Sequence, residues 1–139
     1  MEIAIFGGGC FWCTEAIFRR LNGVESVVSG YAGGKMENPN YDKVSMGTTG
    51  HAEVIKVKFD PQVISYERLL DVFFALHDAT QVNGQGADIG TQYRSIILTT
   101  SDEQQAQARS YVELLKNEGE AIVTQVEPLQ KFYDAESYH

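Results

Sequence analysis

The stretch GGGCFWCTE, residues 7–15, brings three glycines and two cysteines together at the end of a predicted strand. A helix is expected to begin at Cys10, where unsatisfied backbone N–H groups and the positive end of the helix dipole favour a thiolate. In such places the pKa of a thiol falls from about 8.5 to between about 3.5 and 7.5. Cys10 is therefore a candidate nucleophile, although free cysteines are also among the residues most often buried as small hydrophobic groups.

The same glycine-rich turn could in principle hold a phosphate or a metal, and the sequence argues against both. A dinucleotide-binding loop needs a glycine where Trp12 stands, and the Gly-Lys-Ser/Thr of a P-loop is absent. A structural zinc site needs four ligands, and none of the three histidines has paired ligand spacing with another. Thiol chemistry is the interpretation that the residues favour.

A carboxyl group stands where it could act as an acid. The predicted strand HAEVIKVKF spans residues 51–59. Its alternation places Glu53 on the apolar face and Lys56 and Lys58 on the opposite one. Burial would raise the pKa of the carboxyl and keep it protonated near neutral pH, as a general acid requires. The alternative is a strand-end glutamate that reaches back to water, because Gly50 is only three residues away.

Polar and aromatic side chains beside the glycine-rich segments could complete a site. Tyr31 lies in GYAGG, and Asp88 and Tyr93 lie in DIGTQYR. The phenols would donate hydrogen bonds to a substrate oxygen, although tyrosines are also common at strand ends. Phe11 and Trp12 are adjacent on the predicted helix and cannot share one face. At least one of them should form an apolar wall beside the thiol, with core packing as the alternative.

An α+β fold has to position these residues. Hydrophobic patterns predict strands over residues 2–7, 24–34, 51–60, 93–100 and 121–129, and helices over 10–22, 65–77 and 102–117. The second and third strands follow each other with no helix between them, so the sheet cannot be all parallel. Helices packed on one mixed or antiparallel sheet are expected, in a single catalytic domain over residues 1–139.

Charge and composition limit the classes of binding partner and the cellular compartment that the sequence predicts. A formal net charge of −8 argues against nucleic acid and against anionic membrane surfaces as partners. No apolar run approaches the ~20 residues that a membrane helix needs, and the first ten residues lack the pattern of a signal peptide. The expected location is the cytoplasm, where a disulfide framework does not form and cysteines serve redox or catalytic roles.

Four stretches, GGGCFWCTE, GYAGG, GTTGHAEV and DIGTQYRS, occur in this order and, with the tail FYDAESYH, closely resemble the peptide methionine sulfoxide reductase A family. The resemblance implies that Cys10 attacks the sulfoxide sulfur and becomes a sulfenic acid. It implies that Glu53 protonates the sulfoxide oxygen, which Tyr31 and Tyr93 hold.

The same resemblance implies the rest of the system. Phe11 and Trp12 match the aromatic pocket for the substrate's ε-methyl group, and Asp88 matches a polar residue of that pocket. The implied substrate is the S epimer of methionine sulfoxide, free or in proteins, and the implied reductant is thioredoxin, with no metal and no organic cofactor. The implied fold is a two-layer α/β roll with a ferredoxin-like core.

Cys13 departs from the family pattern. Many members carry glycine at this position and keep further cysteines in a C-terminal extension, whereas no cysteine follows Cys13 here. Because Cα atoms at i and i+3 on a helix are about 5 Å apart, a disulfide with Cys10 is within reach. We predict that thioredoxin reduces this disulfide. The alternative places Cys13 on a core-facing stripe with Ala16, Ile17 and Leu21, and leaves a glutaredoxin or a small thiol to attack Cys10.

Two other functions make different demands on these residues. A general thiol–disulfide oxidoreductase would use the Cys-x-x-Cys motif alone and would need neither Glu53 nor the two tyrosines. A module that only binds oxidised methionine would have no use for a nucleophile. Assays with a sulfoxide and with a plain disulfide separate these functions.

Overall fold

The computed structural model describes residues 1–35, 40–47, 49–86 and 88–135. Its strands are β1 (Glu2–Gly7), β2 (Val24–Ala32), β3 (Ala52–Phe59), β4 (Gly84–Gln85), β5 (Asp88–Ile89), β6 (Ile96–Thr99), β7 (Gln125–Pro128) and β8 (Phe132–Asp134). Its helices are α1 (Phe11–Phe18), α2 (Tyr41–Ser45), α3 (Tyr66–Leu76) and α4 (Asp102–Asn117), with a 3₁₀ turn over Thr91–Tyr93. The last four residues of the tail FYDAESYH lie outside the described residues.

Within these residues, six strands form one mixed sheet in the order β7–β6–β1–β3–β2–β8. Strand β1 is antiparallel to β3 and to β6, and β2 is antiparallel to β3 and to β8. Only β6 and β7 run parallel in this sheet. The predicted α+β class with a mixed sheet is confirmed. No described helix combines the length and apolar character needed to cross a bilayer.

The core is built around an aromatic residue on the central strand. The ring of Phe6 stacks on that of Phe18 at a centroid distance of 5.6 Å and on that of Phe73 at 5.0 Å. All three side chains are completely buried. Because they come from β1, α1 and α3, this stack fixes both helices against the strand that leads to Cys10. Ring pairs of this kind contribute about 0.5–1.5 kcal/mol beyond the area that they bury.

Helix α1 is shorter than predicted and faces the core with a different side. Its buried residues are Phe11, Thr14 and Phe18, whereas Cys13 is exposed and Ile17 is 41% exposed. The predicted core stripe of Cys13, Ala16, Ile17 and Leu21 is therefore wrong, since Ala16 is exposed and Leu21 is only half-buried. Two phenylalanine rings bury more apolar area than a cysteine and an isoleucine, and the helix turns them toward the sheet.

Candidate active site

Two glycines carry the chain from β1 to the start of α1. A Cβ atom on Gly8 would lie 2.8 Å from Cδ2 of the His77 ring, so no larger residue fits there without displacing that ring. Gly9 has φ +90°, a left-handed conformation that favours glycine. Its N–H donates to the carbonyl of Tyr93 at 3.3 Å. These contacts place Cys10 as the N-cap residue of α1, as the sequence predicts.

Cys10 is half-buried, and its surroundings have opposing effects on the pKa of its thiol. Burial raises the pKa of the Cys10 thiol, and the backbone N–H groups of Trp12 and Cys13 lower it. The neighbouring Cys13 and Glu53 raise it further, and the net direction is upward. The sequence-based expectation of a lowered pKa is wrong, because desolvation outweighs the helix N-terminus. The neutral thiol is therefore the favoured form in the folded protein.

Glu53 is the buried carboxyl that the strand alternation predicts, with 2% of its surface exposed. Burial is the main reason that its pKa rises to about 7; the N–H of Phe11 opposes the rise, and the charge of Asp88 adds to it. That N–H donates to Glu53 Oε1 at 3.4 Å. The other oxygen, Oε2, is buried and has no hydrogen-bond partner among the described residues. A protonated carboxyl with one uncommitted oxygen is the form needed to donate to a ligand oxygen.

Both predicted tyrosines lie beside this carboxyl. Tyr31 is fully buried and stands directly opposite Glu53 in the pairing of β2 with β3. Tyr93 closes the 3₁₀ turn, and its pKa is raised by burial and then by the charges of Glu53, Tyr41, Asp88 and Cys10. Asp88 itself is exposed at the start of β5. The structure thus brings Tyr93 into the electrostatic range of the thiol and the carboxyl, and Asp88 into that of the carboxyl.

The two aromatic residues after Cys10 have separate environments. Phe11 is 1% exposed and packs in the core, with its ring centroid 5.8 Å from that of Tyr31. Trp12 is 43% exposed and stacks on Tyr41 at 6.2 Å with an interplanar angle of 8°. Trp12 therefore forms the solvent-facing wall, and Phe11 supports it at 5.9 Å. Sequence reasoning missed Tyr41, which lies in α2, a short helix between β2 and β3 where the sequence predicts none.

A cavity of about 200 Å³ opens beside the two thiols. It is lined by Cys10 and Cys13 together with Gly8, Gly9, Thr14, Ile17, Phe73, Leu76, His77, Gln85 and Asp88. Cys13 is an exposed free thiol on the same side of the helix as the half-buried Cys10. Because Cys13 does not pack in the core, it remains available for thiol chemistry. Sequence reasoning also missed His77, whose ring nitrogens lie 2.7 Å from Phe73 O and from Ser95 Oγ.

Comparison with known proteins adds an independent line of evidence. The family model described as peptide methionine sulfoxide reductase matches residues 2–139. The chain is 56% identical to peptide methionine sulfoxide reductase MsrA of Nautilia profundicola over 139 residues, which are 100% of this chain and 80% of that protein. It is 57% identical to the protein of the same name from Haloquadratum walsbyi over 139 residues, 99% of this chain and 80% of that one.

Solved structures agree with these relatives. The chain superposes on methionine sulfoxide reductase A of Corynebacterium diphtheriae with a TM-score of 0.93 at 36% identity, covering 99% of this chain and 71% of the other. A second match is Mxr1 from Saccharomyces cerevisiae in complex with Trx2, with a TM-score of 0.70 at 29% identity and coverage of 97% and 81%. The likeness therefore spans nearly all of the chain at levels of identity that go beyond shared fold.

Proposed function

Because the chain belongs to the peptide methionine sulfoxide reductase family, we propose that it reduces the S epimer of methionine sulfoxide, free or in proteins, to methionine. The observation that carries the proposal is the pairing of a half-buried thiol with a buried carboxyl whose pKa lies at about 7. A sulfoxide oxygen leaves poorly until it is protonated, so the reaction needs a nucleophile and an acid together. A plain thiol–disulfide exchange would have no use for a buried carboxyl.

In the first step, Cys10 Sγ attacks the sulfoxide sulfur while Glu53 donates its proton to the oxygen. The oxygen moves to Sγ, the substrate sulfur gains two electrons, and the cysteine sulfur loses two to become a sulfenic acid. The proton lost by the thiol restores the carboxyl, so protons balance. A protonated Glu53 places no negative charge beside the attacking sulfur, and the carboxylate that it becomes on donating its proton is the acceptor for the proton of the thiol.

Tyrosine hydroxyls hold the reacting oxygen in this proposal. Tyr31 stands opposite Glu53 across the strand pair, and Tyr93 feels the charges of Glu53 and Cys10. Two phenol donors aimed at an oxygen that gains negative charge lower the barrier without reorganising at the moment of reaction. Trp12, supported by Phe11, forms the apolar wall for the substrate methyl group. Asp88 supplies a polar residue at the rim.

Cys13 resolves the sulfenic acid in this scheme. Its thiolate attacks Cys10 Sγ, a disulfide forms, and the oxygen leaves as water after taking up a proton. Thioredoxin then returns both sulfurs to thiols and becomes oxidised to its own disulfide. Support comes from the exposure of Cys13 and from the cavity that it shares with Cys10. A relative in the family, Mxr1, has been solved in complex with Trx2.

We extend the proposal to the fold and the compartment. The succession β1–α1–β2–β3–α3–β6 with sheet neighbours β6–β1–β3–β2, each pair antiparallel, supports a ferredoxin-like core within an α/β roll. A single catalytic domain over residues 1–139 accords with a site drawn from β1 to the 3₁₀ turn. A cytoplasmic location follows from the redox cycle, which needs a compartment that keeps thiols reduced.

The test measures methionine formed from the separate S and R epimers, with thioredoxin or dithiothreitol as the reductant. We expect turnover of the S epimer only, and slow or no reduction of a small disulfide under the same conditions. Failure to form methionine from the S epimer with either reductant would refute the proposed function. Preference for the plain disulfide would favour a general thiol–disulfide oxidoreductase instead.

A further inference from the structure

Arg94 lies next to the proposed site and ties three separate loops together. Its Nη1 donates to the carbonyl of Thr91 at 2.7 Å. Its Nη2 donates to the carbonyl of Gly50 at 2.9 Å and reaches that of Gly33 at 3.4 Å. Its Nε donates to Oε1 of Gln125 at 3.1 Å. One guanidinium therefore joins the end of β2, the start of β3, the 3₁₀ turn before β6 and the start of β7.

The three carbonyls share a position relative to the site. Gly33 is two residues after Tyr31, Gly50 is three residues before Glu53, and Thr91 is two residues before Tyr93. In the proposed reaction Glu53 is the acid, and Tyr31 and Tyr93 are the phenols that hold the oxygen. Cys10 lies at the junction of β1 and α1, which none of these Arg94 hydrogen bonds reaches directly. Arg94 thus contacts the segments that carry the oxygen-binding half of the site.

The loops that follow β2 and precede β3 also bond to each other, through Gly34 N–H to His51 Nδ1 at 3.0 Å and Lys35 N–H to the Thr49 carbonyl at 3.3 Å. Arg94 adds their link to the 3₁₀ turn. Gly33 has φ +84° and Gly50 has φ +77°, so both adopt a conformation that favours glycine and offer no side chain for packing. A Cβ atom on Gly33 would lie 3.2 Å from Nη2 of Arg94. Gly34 packs closely against Gly50 and His51. In this crowded corner the planar guanidinium fork donates to the carbonyls of Gly33 and Gly50, and to that of Thr91, which also accepts the backbone N–H of Arg94 at 3.3 Å.

We propose that Arg94 is a positioning residue for sulfoxide reduction. Its hydrogen bonds hold the 3₁₀ turn that carries Tyr93 against the paired strands β2 and β3 that carry Tyr31 and Glu53, so that all three meet the same substrate oxygen. The role depends on the fork geometry more than on the positive charge, since one ammonium group cannot replace donors that diverge toward three loops. This inference rests on the proposed function, because it concerns how that reaction's acid and phenols are aligned.

The test compares two reactions of Cys10 in Arg94→Lys and Arg94→Gln, both in a Cys13→Ser background that leaves one thiol. Methionine formed in a single turnover reports the complete site, and alkylation by iodoacetamide reports the nucleophile alone. We expect the single-turnover rate constant to fall about 10²-fold in both variants, with a much smaller change in substrate concentration at half-saturation. The alkylation rate should stay within about twofold. Arg68→Lys, at an exposed ion pair with Asp71, is the matched control and should leave both rates unchanged.

Two results would overturn the positioning role. One is a single-turnover rate in Arg94→Lys within about threefold of the parent, because the fork would then be dispensable. The other is an alkylation rate that falls in parallel with sulfoxide reduction, because the whole site would then have collapsed. If neither Arg94 variant folds, Gln125→Leu removes the exposed side chain that accepts from Arg94 Nε. A several-fold slower single turnover in Gln125→Leu supports the positioning role, and an unchanged rate refutes it. A parent protein that forms no methionine would refute the proposed function itself, and the positioning role with it.

Discussion

Replacing Glu53 by Gln should make the protein less active and, at alkaline pH, more stable. Burial raises the pKa of Glu53 from an ordinary 4.5 to about 7. Between these values the unfolded chain has released the proton that the folded protein still holds, so stability falls as pH rises through this window. The difference corresponds to about 3 kcal/mol, lost in full above pH 7. A neutral glutamine carries no such penalty and can still accept from the N–H of Phe11.

The assay is urea denaturation of the parent and Glu53→Gln at pH 5 and pH 8, combined with single-turnover kinetics. We expect an advantage for the variant of under about 1 kcal/mol at pH 5, which grows to about 3 kcal/mol at pH 8. Loss of the general acid should slow sulfoxide reduction by about 10²- to 10⁴-fold. In the parent, the single-turnover rate should fall as pH rises through about 7, because only the protonated carboxyl donates.

Glu113→Gln, at an exposed position on α4, is the matched control for removing one carboxylate. It should show neither the pH-dependent gain in stability nor the loss of rate. The reasoning is refuted if the difference in unfolding free energy between parent and Glu53→Gln is the same at both pH values. It is also refuted if the variant reduces the sulfoxide at the parental rate, since no acid would then be required at this position.

Two further substitutions test other parts of the site. Cys13→Ser should leave the first turnover intact and reduce the rate of thioredoxin-driven cycling by at least about tenfold. Mass spectrometry should then show a persistent sulfenic acid on Cys10 in place of a Cys10–Cys13 disulfide. Rapid thioredoxin-driven cycling in this variant would contradict the resolving role. Gly8→Ala should destabilise the fold by about 1–3 kcal/mol, because its Cβ would press on the His77 ring, whose centroid lies 4.1 Å from that of Phe73. Chemical denaturation measures that loss of stability. A variant with parental stability would show that the His77 ring moves aside at no cost and would contradict the prediction.

The parts of the site that depend on a local sequence pattern, such as alternation along a strand, are predictable from the sequence. Alternation along β3 predicts that Glu53 lies on the buried face, because every second residue after it, from Ile55 to Phe59, is apolar. Helix α4 begins and ends at the predicted residues, Asp102 and Asn117, with the Ser101 side chain accepting from the N–H of Gln104 at its start. The order of the main strands and helices follows in the same way from periodicity and from glycine and proline stops.

Properties that depend on distant chain segments are not predictable in this way. The pKa of Cys10 rises because other elements desolvate it, and no feature of GGGCFWCTE reports that burial. The buried face of α1 depends on which side chains the sheet accepts, so a regular stripe such as Cys13 and Ile17 is misleading. The clamp made by Arg94 joins residues 44 and 61 positions away, and its partners are backbone carbonyls that have no sequence signature.

The pairing of Tyr31 with Glu53 has a consequence for which genetic changes the protein tolerates. Both residues belong to one continuous antiparallel ladder, in which Gly30 faces Val54 and Ala32 faces Ala52. Inserting or deleting a single codon inside β3 would turn the carboxyl to the opposite face of the sheet, because side chains alternate with a period of two. Extra codons in a surface connection would cost only a little chain entropy. Length variation among homologous genes should therefore be concentrated outside these two strands.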